Sequence, residues 1–98
     1  MSVQPTSGNQ WRRLNAAGTV ALCPHSTVLR QIVFSAGSQA GTVTVHDNAS
    51  GTAGTTTMAA LIPARTYTAP FTLPLDLTLQ NGLVVETTGT NDITVSWD

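Results

Sequence analysis

Charge is what this chain of 98 residues has least of. Asp, Glu, Lys and Arg together make up 9% of it, and Lys is missing altogether. An average soluble domain carries about 25% charged residues. The basic residues are Arg12, Arg13, Arg30 and Arg65, and the net charge is −1. With no basic run, a surface that binds nucleic acid by neutralising phosphates is excluded. Lys favours free surfaces and is depleted at interface centres, where Arg is enriched. A surface without Lys is therefore expected to be covered by other protein chains, the more so because charge is what ordinarily keeps sheet edges from pairing adventitiously. Cys23 is the sole cysteine, which rules out an intrachain disulfide and suits a reducing cytoplasm. No apolar run approaches the ~20 residues of a membrane-spanning helix. The first ten residues lack the charged and apolar regions of a secretion signal. No stretch repeats its apolar residues with a 3.6-residue period, and no internal repeat is evident.

What the chain does have is alternation. Leu73, Leu75, Leu77 and Leu79 recur at every second position, as do Leu83, Val85 and Thr87, and then Ile93, Val95 and Trp97. A period of two is that of a strand with one buried face. A three-residue loop at Gln80-Asn81-Gly82, with Gly82 left-handed, sets Leu79 opposite Leu83 and Leu77 opposite Val85. A five-residue loop, Thr88–Asp92, sets Val85 opposite Val95 and Leu83 opposite Trp97. These registers predict a three-stranded antiparallel meander. They also put Asp76 beside Glu86, a like-charged pair that is unfavourable on a sheet and calls for a cation or an Arg.

Upstream, residues 1–10 are polar and read as an extended arm, with residues 11–98 forming one domain. Trp11 follows beside Arg12 and Arg13, either a cap on the core or an anchor in a neighbouring subunit. Gly18–Cys23 is a short strand stopped by Pro24, and Thr27–Ser35 is apolar on both faces, as a central strand would be. Ala36–Gln39 reads as a turn. Gly41–Asn48 alternates again, Asn48–Thr55 is a turn, and Thr56–Ile62 and Arg65–Ala69 are extended. Pro74 marks an edge strand or a bulge, because it cannot donate to a ladder. Short strands divided by turn signals every 8–12 residues or so predict an all-β chain: a single antiparallel β-sandwich, jelly-roll-like, with an N-terminal arm.

The segments GTVTVHDN at 41–48 and NGLVVETTGTNDITVSW at 81–97 resemble small β-sandwich structural proteins of tailed bacteriophages. The resemblance covers a little over half of the chain, with His46 where that pattern often has Tyr. It implies a virion component that decorates or cements a capsid, or belongs to a tail or head fibre, often as a homotrimer. It implies no catalytic residues to carry over, and neither a cofactor nor a metal is expected. The expected partners are a major capsid protein or other virion proteins and further copies of the chain, not nucleic acid or membrane. The expected location is the virion, after synthesis in the host cytoplasm.

Catalytic and metal readings are weak. Cys23 and His25 supply two soft ligands, whereas structural zinc takes about four; a strand-end Cys packed as a small hydrophobe fits better. His46-Asp47 with a Ser lacks any nucleophile motif, and Asp47 is better placed to accept turn amides. Asp76 and Glu86 have no cleft for glycoside hydrolysis and no clustered oxygen ligands for calcium. An intersubunit salt bridge from one of the four Arg residues suits them best. The interface candidates are therefore Trp11, Arg12, Arg13, Arg30, Arg65, Asp76, Glu86 and Trp97. The competing expectation is a tail or fibre-tip module that binds host-surface glycan, with Trp11, Tyr67 and Trp97 as stacking platforms.

Overall fold

The structure, a computed structural model, describes residues 10–35, 37–39, 41–51, 57–63, 65–67, 70–89 and 91–98. Among them are the strands β1 (Gln10–Leu14), β2 (Gly18–Cys23), β3 (Thr27–Phe34), β4 (Gly37–Gln39), β5 (Val43–His46), β6 (Met58–Ile62), β7 (Arg65–Tyr67), β8 (Phe71–Leu79), β9 (Leu83–Thr87) and β10 (Ile93–Trp97), and no helix. The antiparallel partners are nested: β1 with β10, β2 with β9, β3 with β8, β4 with β7, and β5 with β6. The chain is thus one long hairpin with its tip between β5 and β6. Two further pairings, β10 with β3 and β9 with β5, roll that hairpin up. The result is two four-stranded sheets, ordered β1-β10-β3-β8 and β2-β9-β5-β6, with β4 and β7 as a separate ribbon. A hairpin of nested pairs rolled into two sheets is the jelly-roll topology, and the expected antiparallel sandwich is what forms.

The alternating residues build the core. Leu29, Ile32, Phe34, Ile93, Val95 and Trp97 from one sheet meet Cys23, Val43, Val45, Leu83 and Val85 from the other, with Leu14 and Leu79 at the margins. Each such side chain contributes about 1.5–3 kcal/mol on burial. The strand that is apolar on both faces, β3, is indeed central, between β10 and β8.

The last three strands do not form the expected meander. β8 and β10 both flank β3 in one sheet, whereas β9 lies in the other. Leu79 is opposite Thr27 and Leu77 opposite Leu29, while Val85 lies between Val20 and Val45. Alternation fixes which face of a strand is buried, and all three rows do face the core. It does not say whether the next loop returns to the same sheet or crosses to the opposite one. Here both loops cross. Gly82 shows why the first does so: with φ at 155° it is not in the helical left-handed well, and a Cβ there would sit 2.5 Å from the carbonyl oxygens of both Asn48 and Cys23. The glycine admits close packing of loops, not a hairpin turn.

Gly37–Gln39, expected as a turn, is β4, drawn into extended form by its ladder to β7. Gln10 belongs to β1 rather than to the arm, because it pairs with Trp97; the rest of the arm, 1–9, lies outside the described residues, as do residues 52–55 of the 48–55 turn. Pro74 lies on an edge strand and beside a register break, both of which its missing donor allows.

Candidate functional site

The three residues Trp11-Arg12-Arg13 fall on β1, an edge of the first sheet. Leu14 is buried, so the period of two points Arg12 toward the core side of the sheet and Trp11 and Arg13 toward its outer face. Trp11 is 68% exposed, the most exposed large apolar side chain among the described residues. Arg13 is held: its Nε and Nη2 each donate to one oxygen of Asp92, at 2.8 Å. This forked pair lowers the Asp92 carboxyl below its usual range, chiefly through the hydrogen bond, with partial burial opposing.

Arg30 is also spent inside the chain. In β3 it is the residue left over at a bulge: Gln31 pairs with Ser96 and Leu29 with Trp97, and Leu75 and Asp76 of β8 oppose Arg30 alone. A bulge re-aims its side chain, and this one lets Arg30 reach two carboxylates, Asp98 beyond β10 and Asp76 on β8. Those hydrogen bonds, to Asp98 first and then Asp76, raise the guanidinium pKa. Asp76 takes a left-handed backbone, φ 47°, which Asp tolerates better than most residues.

The expected Asp76–Glu86 pair does not exist, because β8 and β9 lie in different sheets. Glu86 instead accepts from His46, with Oε1 3.2 Å from Nε2, while Nδ1 lies 2.8 Å from the hydroxyl of Thr57. A neutral imidazole with its proton on Nε2 satisfies both contacts, the Thr57 hydroxyl donating to Nδ1. The order hydroxyl, imidazole, carboxylate is that of a hydrolytic triad. However, His46 is 2% exposed, and neither cleft described below reaches it. It is a satisfied polar group on the outer side of the second sheet. Asp47 accepts from the amides of Gln80 and Asn81 at 3.1 and 2.7 Å, tying the tip of the hairpin to the β8–β9 loop.

Each of the five carboxylates is therefore engaged within the chain. Asp76 and Glu86 do not stand together for one guanidinium to bridge, and Arg12 meets no carboxylate among the described residues. It lines a cleft of about 280 Å³ with Arg13, Asn15, Gly18 and Thr19, where β1 and β2 stand side by side at one flank of the sandwich. Trp97 belongs to the core at 8% exposure, so it is no stacking platform. Arg65 lies in β7, with its backbone paired to Gln39.

A second cleft, about 410 Å³, is bordered by Cys23, Pro24, His25, Trp97 and Asp98. The Cys23 thiol is buried, 3.5 Å from Nδ1 of His25 and 3.4 Å from the same residue's carbonyl oxygen, to which it donates. No group of three or more His, Cys, Asp or Glu suited to a metal occurs among the described residues.

Comparison with protein families, curated proteins and solved structures found no match to this chain. Sequence reasoning named Arg30 among the partners open to Asp76 but missed its bond to Asp98 and the His46–Glu86 contact. Neither has a local signal, since the partners lie 40 or more residues apart and meet only through the rolled topology.

Proposed function

We propose that this chain is a virion structural protein that decorates or cements a capsid, binding a major capsid protein or other virion proteins and further copies of itself. The observation that carries this reading is the β1 edge. It presents an exposed Trp11 and an Arg12 without a carboxylate, on a molecule whose own acidic groups are all occupied. Trp and Arg are the side chains that dominate interface hot spots, and Arg12 is left to take an acidic partner from another chain. The jelly roll supports the reading by analogy, since capsid proteins use it repeatedly, as does the phage resemblance of segments 41–48 and 81–97. Such a protein strengthens a shell by binding only its assembled form, a mass-action effect without chemistry.

Trp11→Ala and Arg12→Glu change exposed side chains, so the fold is expected to survive both, with unchanged far-ultraviolet circular dichroism. Occupancy on purified particles, measured by quantitative mass spectrometry, is expected to fall by about tenfold or more for each, the effect of losing one hot-spot contact. Wild-type occupancy in both variants would refute the reading.

Trp11 also suits a second reading, a tail or fibre-tip module whose exposed indole stacks on a host-surface sugar. Copy number separates the two. Copies in proportion to the capsomers indicate decoration, whereas a few per particle together with binding on a glycan array indicate a tip.

A further inference from the structure

The sandwich has four sheet edges, and three of them are unsuited to pairing with their own copy. β8 carries Pro74, the bulge at Asp76 and a charge, the devices that blunt an edge. β1 would bring Arg12 and Arg13 against the same residues of a second molecule. β2 lies against that arginine-lined cleft and offers only Thr19 and Ala21 on its outer face.

β6, Met58–Ile62, shares with β2 the absence of charge and proline but carries exposed large apolar side chains, and among the described residues no strand pairs with its outer edge. A register shift confines its irregularity to the Met58 end, leaving Ala60, Leu61 and Ile62 in regular ladder with Val45, Thr44 and Val43. Leu61 is 56% exposed on the outer face and Met58 is 37% exposed, while Ala60 and Ile62 on the core side are only partly buried. Above it, Leu75 and Leu77 of β8 are also only partly covered. The core is thus thinly closed along this flank.

We propose that β6 pairs antiparallel with β6 of a second copy about a two-fold axis through Leu61. That register sets Leu61 opposite Leu61 of the second copy and Ala60 opposite its Ile62, keeping each row on its proper face. The segment is its own complement: apolar meets apolar, small meets large, and no charge confronts itself. Two four-stranded sheets become one continuous sheet, the edge's backbone groups that no described strand pairs find partners, and the exposed leucines cover each other. The contact is isologous and closes at two subunits. It uses the flank opposite β1, so the surface proposed to meet the capsid stays open in the pair. It does not depend on that capsid reading, because it concerns only the free protein.

Sedimentation velocity on the full chain is expected to show a two-subunit species that dissociates on dilution. Leu61→Lys, which opposes two like charges directly across the axis, is expected to weaken the association by about tenfold or more while leaving circular dichroism unchanged. Directly opposed Cβ atoms in such a pair lie about 5 Å apart, close to disulfide distance. Leu61→Cys is therefore expected to cross-link under mild oxidation, and Thr72→Cys, exposed on β8, is not. A wild-type monomer at the highest soluble concentration, a three-subunit mass, or a Leu61→Lys variant with undiminished self-association would each overturn the proposal.

Discussion

Asp92 and Arg13 are separated by most of the chain, yet their forked contact ties β1 to the loop that enters β10. Because the folded-state pKa of Asp92 is depressed, its contribution to stability is present above the unfolded carboxyl value, about 3.9. It is lost as pH falls through the lower, folded value. Asp92→Asn is accordingly expected to lower the melting temperature at pH 7, with the difference from wild type closing below about pH 4. The pair is largely solvent-exposed, so the effect is modest. A thermal melt at each pH measures it, and a difference unchanged at pH 3 would exclude this ion pair as its cause. At this scale the sequence was partly legible. Its alternating rows named the core residues of β5, β9 and β10 but not Leu14, Leu29, Ile32 or Phe34, and the readings of Cys23 as a packed side chain and of Asp47 as an acceptor of backbone amides match the structure. The amides belong to residues 80 and 81 rather than to the adjacent turn, because the close partner comes from a distant loop.

Elements here are positioned as much by loops as by strands. Gly41 precedes β5, and a Cβ there would fall 1.0 Å from the carbonyl oxygen of Thr88. The same contact is fastened by hydrogen bonds from the amide of Thr88 to the carbonyl of Thr42 and from the amide of Thr42 to the hydroxyl of Thr88. Backbone cannot yield as a side-chain tip would, so Gly41→Ala must part the β5 entry from the β9–β10 loop. The expected cost is roughly 2–4 kcal/mol, the range of severe packing or strain defects, read as a lowered urea midpoint. A shift below about 0.5 kcal/mol, the scale of neutral surface changes, would mean that the loops are not held together. Strand existence was readable from period and punctuation, and Pro74 announced its edge and its bulge. Strand partnership was not, because β8, β9 and β10 carry the same alternation whether each loop closes a hairpin or spans the core.

Over the whole molecule, the nested order explains both what was read and what was missed. Partner strands sum to a constant position in the chain, β1 with β10 down to β5 with β6, so only the innermost pair is local. Propensity and turn chemistry act over a few residues and cannot report that Gln10 lies beside Trp97. The class of fold followed from composition and punctuation; the roll followed from contacts that no short window contains. The Arg30 node belongs to this scale too, since it joins three neighbouring strands of one sheet at their shared irregularity.

One mechanical property comes from Gln10 lying opposite Trp97 in an antiparallel ladder. A load applied at those two residues acts across the ladder, so the bonds between β1 and β10 bear it singly and in succession, as in a zip fastener. The same ladder loaded along its length would share the tension among all its bonds at once. In an optical trap with handles at these positions, the chain is expected to open at low force by peeling β10 from β1. Handles at Gln10 and Ile93, which pull the two strands past each other, should require markedly more. A protein built this way resists sliding between these two strands and gives way when Gln10 and Trp97 are drawn apart.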